Sequence, residues 1–148
     1  MFLLTLAFAV EVKAQSYAAI LACTAEGQQQ PDIIKISGTD TAPSWQHWLK
    51  NEHRWGENMC GSSSSSFGFT LAYSCRFSPG AYAYSFEVVS APGKPEDNVY
   101  SSVPRIDRMT GAYTQTRRAY THGQTLDREA TSGTCHKTSE PAVPKPVL

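Results

Sequence analysis

The strongest pattern in the chain is a regular alternation of large apolar residues with small or polar ones between positions 67 and 88. A period of two residues predicts strands that bury one face, and the Pro79-Gly80 pair between the two halves predicts a tight turn. We therefore predict one long β-hairpin in which Phe77 faces Tyr82. Its core face would carry Phe67, Phe69, Leu71, Tyr73, Cys75, Phe77, Tyr82, Tyr84, Phe86 and Val88.

Shorter apolar segments predict further strands on both sides of this hairpin. Single strands are expected at 16–24, 33–37 and 133–137, and a second hairpin at 100–109 and 112–120. The Thr110-Gly111 pair would form the turn of that second hairpin, with Met109 opposite Ala112. These elements together predict a mainly antiparallel sheet.

The segment 44–56 has a helical spacing instead. Ser44 is a suitable N-cap, Gly56 is a suitable end, and the large apolar residues between them fall near one face of a helix of about three turns. We expect its three tryptophans, Trp45, Trp48 and Trp55, to pack the helix on the sheet, with a ligand-facing aromatic platform as the alternative. The five serines at 62–66 are expected to form a surface loop. The predicted fold class is mainly β or α+β, an antiparallel sheet of hairpins with one short helix packed on it.

The chain begins with an apolar run, 2–10, that has the length of the hydrophobic region of a secretory signal and is too short to span a bilayer. Val12 and Ala14 suit the positions before a cleavage site, so the mature chain would begin at Gln15. No Lys or Arg precedes the run, and a short buried N-terminal strand or helix is the alternative. The predicted organisation is a signal peptide at 1–14, a single β-rich domain at 15–138 and a disordered, proline-rich tail at 139–148.

Four cysteines, an even number, are expected to form two disulfides in an exported domain of this size. Three pairings are open, and the favoured one joins Cys60 to Cys75 across a short loop and Cys23 to Cys135 across nearly the whole domain. No two cysteines have the close spacing of a zinc-binding C-x-x-C pair. The expected location is secreted or periplasmic. The residues before Cys23 loosely resemble a bacterial lipobox, which makes lipid attachment there a lesser alternative.

The charges of the chain are balanced, with 13 Lys and Arg against 13 Asp and Glu, so there is no overall charge to attract nucleic acid. Several arginines lie in the C-terminal third. In the predicted second hairpin, Arg105 and Arg118 share one face, whereas Arg108 and Arg117 share the other. Arg105 and Arg118 are therefore the candidate anion-binding residues, although solvated strand faces are the favoured interpretation.

The sequence has none of the motifs that carry common enzyme chemistry. It lacks a nucleophile elbow, a phosphate-binding loop, a dinucleotide-binding fingerprint, an HExxH zinc motif and a calcium loop. We therefore predict no cofactor, no metal site, no catalytic residue and no transmembrane anchor in the mature chain. The expected function is a non-enzymatic binding or structural module of the cell envelope or the extracellular space, with a protein or glycan among its candidate partners. A small secreted hydrolase is the alternative.

Two short motifs remain, IDRMTG at 106–111 and Gly133-Thr134-Cys135. Together they resemble the C-terminal pattern of small exported bacterial proteins of no assigned function. The resemblance is confined to the C-terminal part of the chain. It implies a bacterial source and a β-hairpin that precedes a disulfide-bonded strand, and it implies no activity and no site residues.

Overall fold

The computed structural model describes residues 13–66, 69–90, 99–121 and 124–144. The regular secondary structure of these residues consists of ten strands: β1 Ser16–Ala25, β2 Asp32–Thr39, β3 Pro43–Leu49, β4 Arg54–Trp55, β5 Ser63–Ser66, β6 Phe69–Phe77, β7 Ala81–Ser90, β8 Val99–Asp107, β9 Ala112–Thr121 and β10 Gln124–Lys137. The predicted signal peptide lies outside the described residues except for its last two positions, and so does Phe67 of the predicted core face.

The strands form one antiparallel sheet with the order β4-β3-β2-β1-β10-β9-β8-β7-β6-β5. Consecutive strands of the chain pair with each other except β4 and β5, which lie at the two edges, and the last strand pairs with the first. The sheet curls until β3 approaches β6. The segment 56–62 runs between these two strands: the amide of Met59 donates to the Trp45 carbonyl at 2.9 Å, and the amide of Gly61 donates to the Tyr73 carbonyl at 3.0 Å. The curled sheet therefore encloses an interior.

The mainly β prediction is confirmed, but the predicted helix over Trp45, Trp48 and Trp55 is wrong. Residues 43–49 form β3, and Trp45 of this strand lies opposite Ile36 of β2. Trp48 and Trp55 lie opposite each other in β3 and β4. The spacing of seven between Trp48 and Trp55 matched a helical period because a turn separates them, and the spacing of three within β3 places Trp45 and Trp48 on opposite faces of the strand. Pairing with β2 satisfies the backbone of β3 and places Trp45 inside the sheet, with 0% of its surface exposed.

The register predicted for the first hairpin is confirmed along β6 and β7. Phe77 pairs with Tyr82, and Tyr73 pairs with Phe86. The serine run was wrongly assigned to a loop, because Ser63–Ser66 pair with β6 as an edge strand. Serine hydroxyls suit such an edge because they meet water without burying polar atoms.

The second hairpin forms, but its predicted register is wrong by two residues. Ile106 lies opposite Tyr113, and Met109 does not face Ala112. The turn is longer than expected because Oδ1 of Asp107 accepts hydrogen bonds from the backbone N–H groups of Met109 and Thr110, at 2.9 Å and 2.8 Å. A shift of two residues preserves the faces of both strands.

Two disulfides link the sheet. Cys23 of β1 bonds to Cys135 of β10, and Cys60 of the segment 56–62 bonds to Cys75 of β6. These are the two bonds that the loop lengths favour. Disulfides persist in oxidising compartments, so both bonds indicate an extracytoplasmic environment. No helix in the described part of the chain is long and apolar enough to cross a membrane.

One end of the interior is filled by side chains. The buried residues of this end include Tyr17, Leu21, Ile36, Phe77, Tyr82 and Ile106. The Arg108 guanidinium covers them, 5.0 Å from the ring centre of Tyr17 and 4.9 Å from that of Tyr82. It also donates to the carbonyls of Ser78 and Pro79, both at 3.1 Å. Cation–π contacts and hydrogen bonds together hold Arg108 over the packed end of the sheet.

Candidate functional site

The interior opens into a cavity of about 480 Å³. The cavity lies near the first residues of β8. Arg108 lies at the other end of the interior, where β8 ends. Aromatic residues form one wall, namely Trp45, Tyr73, Tyr84, Phe86 and Tyr100. Polar residues lie among the others that line the cavity, namely Gln28, Asp32, His47, Ser102, Gln115 and Arg117.

The aromatic wall is a continuous row of rings. Tyr84 stacks on Trp45 with a centroid distance of 5.5 Å and on Tyr73 with a distance of 5.9 Å. Phe86 contacts Tyr73 at 4.9 Å and Tyr100 at 6.3 Å. These residues occupy alternate positions on the facing strands, so their side chains share the inner face. The predicted core face of the first hairpin is therefore packed at one end and lines the cavity at the other.

The polar residues form a hydrogen-bonded network around Gln115. The Tyr113 hydroxyl donates to Oε1 of Gln115 at 3.2 Å, and Nη2 of Arg117 donates to the same oxygen at 3.5 Å. Nε2 of Gln115 donates to Oγ of Ser102 at 2.8 Å. Ser102 is 6% exposed. The network fixes the amide of Gln115 with its oxygen toward Tyr113 and its nitrogen toward Ser102.

His47 lies beside the aromatic wall. Nε1 of Trp45 donates to Nε2 of His47 at 3.2 Å, so a neutral His47 carries its proton on Nδ1. Burial lowers the pKa of His47 below its usual value of 6.5, and the nearby Asp32 carboxylate offsets part of this shift. His47 is therefore neutral at pH 7.

The two buried phenols of the cavity also stay neutral. Burial raises the pKa of Tyr84, and the neighbouring Tyr73 raises it further. The pKa of Tyr113 is raised by burial and by Asp32, an effect that Arg117 partly offsets. Both hydroxyls therefore retain their protons at pH 7 and can donate hydrogen bonds.

The lowered pKa of His47 predicts that the protein loses stability on mild acidification. The unfolded chain takes up a proton near pH 6.5, whereas the folded chain takes it up only at lower pH. The contribution of neutral His47 to the free energy of unfolding should therefore be fully present above about pH 6.5. It should decrease as the pH falls toward the pKa of His47 in the folded protein. Urea unfolding at several pH values, with wild type and His47→Gln, measures this slope. Glutamine keeps an acceptor for the Trp45 indole and does not titrate, so an unchanged slope in the variant contradicts the prediction.

The structure separates the three tryptophans that were the candidate ligand-facing residues. Trp45 lines the cavity, whereas Trp48 and Trp55 lie on the outer face with their ring centres 5.3 Å apart. Nε1 of Trp55 donates to Oε1 of Glu140 at 2.8 Å, and the Lys35 ammonium lies 5.2 Å from the Trp55 ring centre. Trp55, which packs against Trp48, thus contacts the segment that follows β10.

Arg105 and Arg118, the candidate anion-binding residues, are both exposed on the outer face. Arg105 pairs with Thr114, and Arg118 pairs with Ser101. Four residues of β8 separate those two pairs, which is about 14 Å along the strand. The sheet therefore does not bring the two guanidinium groups to a common point.

The polar residues of the cavity were missed by the sequence analysis. Gln115 and Arg117 follow Tyr113 at a period of two, and Tyr113 lies opposite the buried Ile106. Polar side chains at core-facing positions of a strand are unusual and would have pointed to an interior site. Ser102 carries the same signal in β8, two residues from the buried Pro104.

In the described part of the chain, no three His, Cys, Asp or Glu side chains are close enough to hold a metal ion. No family model matches the chain, and no curated protein and no solved structure matches it either. The interior cavity is therefore the feature of the structure that bears on function.

Proposed function

We propose that the protein is a secreted or periplasmic binding module that holds one small, flat organic molecule in the interior cavity. The observation that carries this proposal is the row of stacked rings on one wall together with the polar network around Gln115. Aromatic surface with a few fixed polar groups is the usual composition of small-molecule sites. Such a row of rings gives a flat ligand a large apolar surface to pack against.

The size of the cavity supports the same proposal. Its volume of about 480 Å³ falls within the roughly 300–1,000 Å³ of typical small-molecule pockets. A curled antiparallel sheet with a packed end and an open end can hold one small ligand between its strands. The two disulfides join β10 to β1 and the segment 56–62 to β6, so they make the walls rigid before a ligand arrives.

Export is proposed from two observations of different kinds. The N-terminal run of apolar residues has the length of a secretory signal, and all four cysteines of the chain are paired. A lipid anchor at Cys23 has no support, because its sulfur is bonded to that of Cys135.

The alternative, a small secreted hydrolase, has less support. Nucleophilic catalysis requires a base within hydrogen-bond reach of the nucleophile. Nε2 of His47 accepts from Trp45, and Oγ of Ser102 accepts from Gln115. No hydrogen bond joins His47 to Ser102 among the described residues, so these two groups do not form a nucleophile and base pair.

The test is equilibrium dialysis of the purified, oxidised protein against two flat probes, 2-acetylnaphthalene and 2-isopropenylnaphthalene. We expect saturable binding of one molecule per chain for at least one probe. Tyr73→Leu should weaken that binding about tenfold, because it removes one ring of the wall, and stacking contacts are worth about 0.5–1.5 kcal/mol beyond their area. The matched control is Trp48→Leu, the same kind of change on the outer face, which should leave the affinity unchanged. The proposal fails if neither probe binds or if both variants weaken binding equally.

A further inference from the structure

The geometry points to a ligand class: we infer that the cavity takes a neutral aromatic compound that carries a carbonyl oxygen, with its ring packed against the aromatic wall and its oxygen among hydrogen-bond donors that include Ser102. This inference rests on the proposed function and adds to it the chemistry of the ligand.

The amide group of Gln115 lies at the cavity, and its neighbours use only part of its hydrogen-bonding capacity. Its carbonyl oxygen already accepts from Tyr113 and from Arg117, whereas its amide nitrogen donates only to Ser102. An amide nitrogen carries two N–H groups, so one N–H of Gln115 has no acceptor among the described residues. A ligand at this wall of the cavity therefore meets a donor.

The Ser102 hydroxyl is a second donor at the cavity. Its oxygen accepts from Gln115, and its own O–H has no acceptor among the residues that the structure describes. Ser102 is 6% exposed and lines the cavity. A buried donor without an acceptor is unfavourable, and a ligand oxygen would supply an acceptor.

Tyr84 supplies a third donor, and its ring lies between those of Trp45 and Tyr73 in the aromatic wall. It is 9% exposed, and its hydroxyl makes no hydrogen bond to any described residue. Burial keeps this phenol protonated, so it adds another buried donor to those of Gln115 and Ser102. The donors of Gln115, Ser102 and Tyr84 favour a ligand with an acceptor oxygen.

The charges of the lining select a neutral molecule. The cavity is lined by one carboxylate, Asp32, and one guanidinium, Arg117, with a neutral His47, so the described lining has no net charge. A charged ligand would have to leave water for a site without a compensating charge, which is costly. A ketone, an amide or an ester on an aromatic ring is neutral and carries an acceptor oxygen.

The experiment compares three probes of the same shape by equilibrium dialysis with the unmodified protein. The ketone 2-acetylnaphthalene and the hydrocarbon 2-isopropenylnaphthalene differ by one oxygen in place of a CH₂ group, and 2-naphthoate adds a negative charge. We expect the ketone to bind at least tenfold more tightly than the hydrocarbon and more tightly than 2-naphthoate. Equal binding of ketone and hydrocarbon, or tighter binding of 2-naphthoate, overturns the ligand class and leaves the proposed function standing. Failure of all three probes overturns both.

A pair of variants locates the oxygen. Ser102→Ala should weaken ketone binding about fivefold and leave hydrocarbon binding unchanged, because only the ketone uses the hydroxyl. The control is Ser101→Ala, which removes the neighbouring hydroxyl on the opposite face of β8 and should change neither affinity. A second readout is the infrared band of the ketone labelled with ¹³C at its carbonyl, which moves to lower frequency when the oxygen accepts a hydrogen bond. An equal band position in wild type and Ser102→Ala places the oxygen elsewhere and overturns its assignment to Ser102.

Discussion

Replacing Cys23 and Cys135 together by alanine is expected to lower the free energy of unfolding by about 5 kcal/mol, the value that a loop of this size gives in the chain-entropy model. The bond spans 112 residues and joins the first strand to the last. Without it, the unfolded chain gains the entropy of an open loop, and the pairing of β1 with β10 loses its covalent link. Both sulfurs are buried, so the substitutions also remove packed atoms from the interior.

The matched comparison is the double variant Cys60→Ala with Cys75→Ala, which opens a loop of 15 residues. The same model gives about 3 kcal/mol for that loop. Urea unfolding followed by tryptophan fluorescence, without reductant, measures both losses against the wild type. If the short-loop variant is the less stable of the two, loop length does not decide the contribution of these bonds.

Local patterns in the sequence were sufficient to predict the first hairpin. Alternation defines which side chains share a face, and the Pro79-Gly80 turn fixes where the chain reverses, so the register of Phe77 with Tyr82 follows from residues close in sequence. The helix prediction failed where the local signal was ambiguous. Spacings of three and seven between tryptophans match a helix, yet cross-strand pairing of Trp45 with Ile36 decides the conformation.

The cavity could be predicted only in part, because it exists only once the sheet has curled. The aromatic residues of its wall, such as Tyr73 and Phe86, were assigned to a packed core, since an isolated hairpin gives no sign that one end of its apolar face lines a cavity. Ser102 and Gln115 become interior residues when β8 and β9 meet β7 and β10 in one curled sheet. That closure depends on pairing between strands far apart in the chain, chiefly β1 with β10.

The two motifs that suggested a resemblance have structural roles at the packed end. Asp107 caps the turn after β8, and Arg108 covers the rings of Tyr17 and Tyr82. The backbone of Gly111 accepts a hydrogen bond from the Cys135 amide at 2.7 Å. The IDRMTG and Gly-Thr-Cys patterns therefore stabilise the fold.

Gly133→Ala is the second change for which we expect a large effect, a loss of roughly 3 kcal/mol in the free energy of unfolding. Gly133 lies in β10 opposite Ala25 of β1. A Cβ atom at this position would lie 2.2 Å from the Thr24 carbonyl oxygen and 2.7 Å from the Cα of Ala25. Both are backbone atoms of the paired strand, so no side-chain rotation relieves the overlap, and β1 must separate locally from β10.

The control for this prediction is Gly80→Ala, because a Cβ atom there would meet nothing within 4 Å. Both variants lose the same backbone freedom in the unfolded chain, so the difference between them isolates the close approach of β10 to β1. Urea unfolding gives the two free energies, and intact mass shows whether the Cys23–Cys135 bond, two residues from Gly133, still forms. Equal stability of the two variants with both disulfides intact would mean that the strands can move apart at Gly133 without cost. A large loss confined to Gly133→Ala would instead show that the first and last strands must approach closely at this position for the sheet to enclose its interior.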